Sequence, residues 1–68
     1  MEYAMDELSE AKRQIDSTLR KLKETITTLE SKETPGRYKS QLTLAKRRVA
    51  AFELANSLIE REIKELSV

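Results

Sequence analysis

Large apolar residues recur along the first half of the chain at Met1, Met5, Leu8, Ile15, Leu19, Leu22, Ile26 and Leu29, mostly four and three residues apart. Lys12 occupies the position where that spacing lapses. An α-helix turns once in about 3.6 residues, so side chains spaced in this way form one stripe, and a stripe repeating every seven residues is a seam suited to a second helix. The second half repeats the pattern at Tyr38, Leu42, Ala45, Val49, Phe52, Asn56, Ile59, Ile63 and Leu66, with Asn56 as its polar lapse. Between the halves stands Thr34-Pro35-Gly36, which holds the chain's one proline and one glycine.

Strong helix formers flank that break on both sides. Proline's missing N–H costs nothing in the first turn of a helix and its fixed φ suits the start, so Thr34 is the expected cap of the second helix, with Pro35 just inside it. The pattern predicts a single domain over 1–68, with a helix over about 2–32, a turn over about 31–36 and a helix over about 35–66. The first helix is expected to end within Leu29 to Glu33. One continuous helix is the rival arrangement, but Pro-Gly in its middle would cost about 4 kcal/mol in helix propensity.

A chain that folds back near residue 34 brings together residues whose numbers sum to about 67 or 68. Leu29 then faces Tyr38, Ile26 faces Leu42, Leu22 faces Ala45, Leu19 faces Val49 and Ile15 faces Phe52, while Leu8 and Met5 face Ile59 and Ile63. The same arithmetic sets the two lapses, Lys12 and Asn56, at one level. Unrelated helices would show that coincidence only by chance, so the predicted fold class is all-α, an antiparallel two-helix hairpin. A polar layer at Lys12 and Asn56 is expected to fix register or oligomeric state, or to let the lysine stem cover apolar neighbours while its ammonium stays in water.

Two helices need one apolar stripe each, and the second helix has more than that. Leu44, Ala51, Ala55 and Leu58 form a further stripe, and Leu54 lies still farther round. A chain of this size has little interior of its own. The extra stripe therefore points to an oligomer interface made of Leu44, Ala51, Leu54, Ala55 and Leu58, with a homodimer forming a four-helix bundle as the expected assembly, a tetramer behind it, and a larger helical protein as the other partner for the same surface. The first helix carries a flanking stripe of small residues, Ala4, Ala11, Thr18 and Thr25, that would permit close approach.

Composition narrows the chemistry. The chain has no cysteine and no histidine, which removes disulfides, thiolate nucleophiles, imidazole bases and the usual zinc, haem and iron–sulfur ligand sets. The carboxylate groups Asp6-Glu7-Glu10 and Glu60-Glu62-Glu65 flank the seam and are expected to face water, where they solubilise one end of the hairpin rather than hold a metal. No catalytic, cofactor or metal residues are expected, and the protein is not expected to be an enzyme. The acidic N-terminal segment lacks the pattern of a secretory signal, and no apolar run approaches the length that crosses a bilayer, so a soluble cytoplasmic protein without a membrane partner is expected.

Charge supplies the remaining lead. Thirteen basic and twelve acidic residues leave a net charge of +1, but the halves differ. Thr18 to Ala50, nearest the turn, holds nine basic and three acidic residues, whereas the rest of the chain holds four basic and nine acidic ones. Two hairpins lying in opposite directions would pair unlike halves, a modest preference because exposed pairs are weak and screened by salt. Alternatively, Arg20, Lys21, Lys23, Arg37, Lys39, Lys46, Arg47 and Arg48 form a basic band able to meet nucleic-acid phosphates. The functional expectation is a non-enzymatic, oligomerising helical hairpin acting as an interaction, scaffolding or regulatory module, with a small nucleic-acid-binding dimer as its alternative.

Overall fold

A computed structural model of the chain describes residues 3–31, 36 and 38–67. Two helices, α1 (Met5–Glu30) and α2 (Lys39–Leu66), pack against each other as a hairpin about 50 Å long. The predicted seams are the sides that turn inward. Leu8, Leu19 and Ala45 are buried, and Ile15, Leu22, Ile26 and Leu29 of α1 and Leu42, Val49, Phe52, Ile59 and Ile63 of α2 are half-buried beside them. The seams open at the end away from the turn, where Met5 and Leu66 are exposed. Met1 lies outside the described residues.

Both helices start a few residues later than expected, whereas α1 ends inside the range Leu29 to Glu33 and α2 ends at Leu66. Ala4 is extended and takes the N-cap position of α1 without a side chain able to accept a hydrogen bond. Glu7 compensates from inside the first turn, accepting a bond from the Ala4 backbone N–H at Oε1 (3.3 Å). Asp6 and Glu7 also place negative charge where the helix dipole favours it. At the other end the Ser31 hydroxyl donates to the Thr28 carbonyl (2.8 Å), satisfying one of the acceptors a helix terminus leaves open.

The second helix starts at Lys39, with Tyr38 in the N-cap position, rather than near Pro35. Gly36 accounts for the later start, because its φ of +91° lies in the left-handed region and no right-handed helix passes through it. Thr34 and Pro35, the expected cap and first-turn residue, lie outside the described residues.

A Cβ on Gly36 would meet nothing within 4 Å, so the constraint there is conformational and not steric. Replacing Gly36 with Ala should therefore destabilise the hairpin by about 1 kcal/mol, the usual penalty for a side chain held in the left-handed region. Urea unfolding of the two proteins measures the difference. An unchanged or increased midpoint would mean that the turn relaxes to another backbone conformation.

Candidate interaction site

Lys12 and Asn56 come together through a third residue. Asp16 Oδ1 accepts a hydrogen bond from Asn56 Nδ2 across the helix pair (2.8 Å), and its Oδ2 takes the Lys12 ammonium at 3.0 Å. The same ammonium reaches Glu60 Oε1, also at 3.0 Å. The layer is thus a network of four side chains, two from each helix, in which one cation sits between two carboxylates. Asn56 Oδ1 is buried and meets no donor among the described residues. Turning the amide over would set that oxygen against the Asp16 carboxylate, so the orphaned oxygen is the cheaper arrangement.

Sequence reasoning named Lys12 and Asn56, missed Asp16, and placed Glu60 only among the water-facing carboxylates, whereas it also takes the Lys12 ammonium. Each carboxylate lies one turn beyond a lapse, Asp16 four residues after Lys12 and Glu60 four after Asn56. The geometry of antiparallel helices selects them. Side chains lean toward the N-terminus of their own helix, so two long ones meet when both start a little C-terminal of the level at which their backbones face. The numbers of Lys12 and Glu60, and of Asp16 and Asn56, sum to 72, and those of the ion pair Lys46–Glu30 (3.2 Å) sum to 76. The last residue of α1 and the first of α2 sum to only 69.

Hydrogen bonding moves the proton affinities in this part of the hairpin. The Asp16 carboxyl is held below its usual range, chiefly by the hydrogen bond from Lys12 and then by that from Asn56. Lys12 is raised, first through Glu60 and then through Asp16. Glu10 falls from 4.5 to about 2 because Arg13 and then Gln14 donate to it, Arg13 through Nη2 at 2.6 Å and Nε at 2.9 Å. A depressed carboxyl adds stability above its unfolded value, and that stability is lost as the pH falls through the folded one. The contribution of Glu10 therefore disappears between pH 4.5 and about 2, and that of Asp16 below 3.8. The raised Lys12 acts in the opposite direction, contributing below 10.5 and losing its effect as the pH rises through its higher folded value.

The basic residues near the turn are all exposed where described, but they do not share one face. Arg20 and Lys23 line an open groove of about 890 Å³ between the helices, and its walls also hold four carboxylates, Asp16, Glu24, Glu53 and Glu60. An anion entering there meets more negative than positive charge. Lys46 pairs with Glu30, while Lys39 and Arg47 lie beside Leu44 on α2. Consecutive positions are about 100° apart on a helix, so Lys46, Arg47 and Arg48 fan across more than half the circumference of α2. Lys21 stands near Glu24, Thr25 and Leu29, and Arg37 lies outside the described residues. No cluster of carboxylates among the described residues is arranged to hold a metal ion. No described helix is long and apolar enough to cross a membrane.

The apolar residues outside the seam remain in water. Leu44 is 49% exposed, Leu54 64% and Leu58 55%; Ala51 is exposed and Ala55 half-buried. The groove fixes how the flanks are arranged, since it gathers Asp16, Arg20 and Lys23 of α1 with Glu53, Ser57 and Glu60 of α2 on one side. Helical spacing then puts Ala11, Thr18 and Thr25 of α1 on the opposite side together with Leu44, Ala51, Ala55 and Leu58 of α2. One flank of the hairpin is charged and the other is apolar. Comparison with protein-family models, with curated proteins and with solved structures finds no match for this chain.

Replacing Asp16 with Asn should lower stability at neutral pH and flatten the fall in stability below pH 3.8, because the variant has no carboxyl to protonate there. Urea midpoints recorded from neutral pH down to pH 2 test this. Parallel curves for the two proteins would show that the network contributes nothing to the acid limb.

Proposed function

We propose that this protein is a non-enzymatic interaction module that works by self-association, two hairpins packing through their apolar flanks into a four-helix bundle. The shortage of interior carries the reading. The chain exposes 5527 Å². A compact monomer of the same mass would expose about 4,400 Å², so the hairpin carries roughly 1,100 Å² in excess. Stable dimers bury about 600–1,000 Å² per subunit, so one partner would cover most of that excess.

Burying half-exposed leucines is the most direct way for this chain to gain stability, at about 25 cal/mol for each Å² of apolar surface removed from water. The rest of the hairpin favours such a role. The groove between the helices is open and lined mostly by charges, and it lacks the convergent, water-excluding walls that chemistry requires. A nucleic-acid role has less support, because Arg20 and Lys23 stand among carboxylates and Lys46 is already paired.

Light scattering on eluting protein should give about twice the chain mass of 7.9 kDa. The melting temperature should rise with protein concentration, as it does whenever unfolding is coupled to dissociation. Substituting Glu for both Leu44 and Leu58 should return the mass to that of one chain and lower the melting temperature. Duplex DNA and RNA should not bind at low salt. A well-folded monomer with a concentration-independent transition would overturn the self-association reading, and tight binding of either duplex would replace it with the nucleic-acid one.

A further inference from the structure

We infer that the two hairpins meet in opposite directions, with α2 of one copy lying antiparallel on α2 of the other about a two-fold axis that passes between Ala51 and Ala55. The inference rests on the self-association proposed above and specifies its geometry. On the apolar flank of α2, residues at four-and-three spacing form the row Leu44, Arg48, Ala51, Ala55, Leu58 and Glu62. Among the described residues, neither Arg48 nor Glu62 has an ion-pair partner within the hairpin. The two ends of this row are complementary. No acidic residue occurs between Gly36 and Phe52, whereas Glu53, Glu60, Glu62 and Glu65 follow.

A two-fold axis at the centre of the row sets Ala51 against Ala55 of the second copy and Ala55 against its Ala51, residue numbers that sum to 106. Small residues at the crossing let the two backbones approach, and Leu44 and Leu58 close the contact on either side. The polar pairs within the hairpin have sums of 72 and 76, above the 69 of the residues at which α1 ends and α2 begins, the direction in which the lean of the side chains moves them. The same lean in the dimer brings Arg48 to Glu62 of the second copy, whose numbers sum to 110, and the symmetry makes that pair twice. Hairpins lying the same way would instead crowd the basic halves together. Leu54 lies outside the row, and this geometry leaves it in water; the charged groove on the opposite flank stays open.

Charge reversal tests the pairing. Arg48→Glu and Glu62→Arg should each weaken the dimer about tenfold at low salt, because each places two like-charge contacts in the interface. The double variant Arg48→Glu/Glu62→Arg should recover affinity to within a few-fold of the starting protein, while Leu54→Ser should leave it unchanged. Sedimentation equilibrium gives the constants, and circular dichroism checks that each variant remains helical. The cysteine-free chain permits a second measurement that does not rely on electrostatics. Mixed Ala51→Cys and Ala55→Cys chains should oxidise to a cross-linked pair, whereas either variant alone should not, since its own thiols would lie too far apart for a disulfide. A dimer in which the double reversal is no tighter than the singles, and in which mixed cysteines fail to cross-link, overturns this geometry but leaves self-association standing. A starting protein that sediments as a monomer removes both.

Discussion

Two helices in contact share a single seam, and every other feature of this protein follows from how little that seam buries. Among the described residues, Leu8, Leu19 and Ala45 are nearly out of water, and no large side chain is completely enclosed. A third helix, a sheet or a disulfide would ordinarily supply what is missing, and this chain contains none of the residues for a covalent staple. The leucines left on the outer flank of α2 stay about half exposed, because the seam has no room for a second stripe.

The polar layer sits in the middle of this sparse core, where an apolar pair would bury more. Lys12 and Asn56 exchange hydrophobic surface for a network that spans both helices and leaves one amide oxygen unsatisfied. The charges around it divide the molecule. One flank carries the network, the groove and its carboxylates, while the other carries small and leucine side chains.

Much of this architecture was legible from spacing alone. The positions at four-and-three intervals are those that turn inward, and the break at Pro-Gly separates the helices. The start of α2 at Lys39 is not legible from the Thr-Pro cap pattern, because it depends on Gly36 adopting φ +91°, a conformation that ends any right-handed helix and that spacing does not reveal. The basic residues were grouped by their nearness along the chain, yet successive residues on a helix point in different directions, and several of those cations lie beside carboxylates. Asp16 and Glu60 look like ordinary surface carboxylates along the chain until the lean of the side chains brings them to the lysine and the asparagine.

What the linear order of residues determined by itself was the number of helices, the face each one buries and the absence of cysteine and histidine chemistry, since these depend on a fixed helical period and on composition. What the tertiary structure decided was which charges meet. Ion pairs across a hairpin depend on the level at which two backbones face and on the direction in which long side chains lean, and neither is set until the helices are docked. The same docking brought the small-residue stripe of α1 and the apolar stripe of α2 to one flank and gathered the charges of the groove on the other, a juxtaposition that neither helix shows alone.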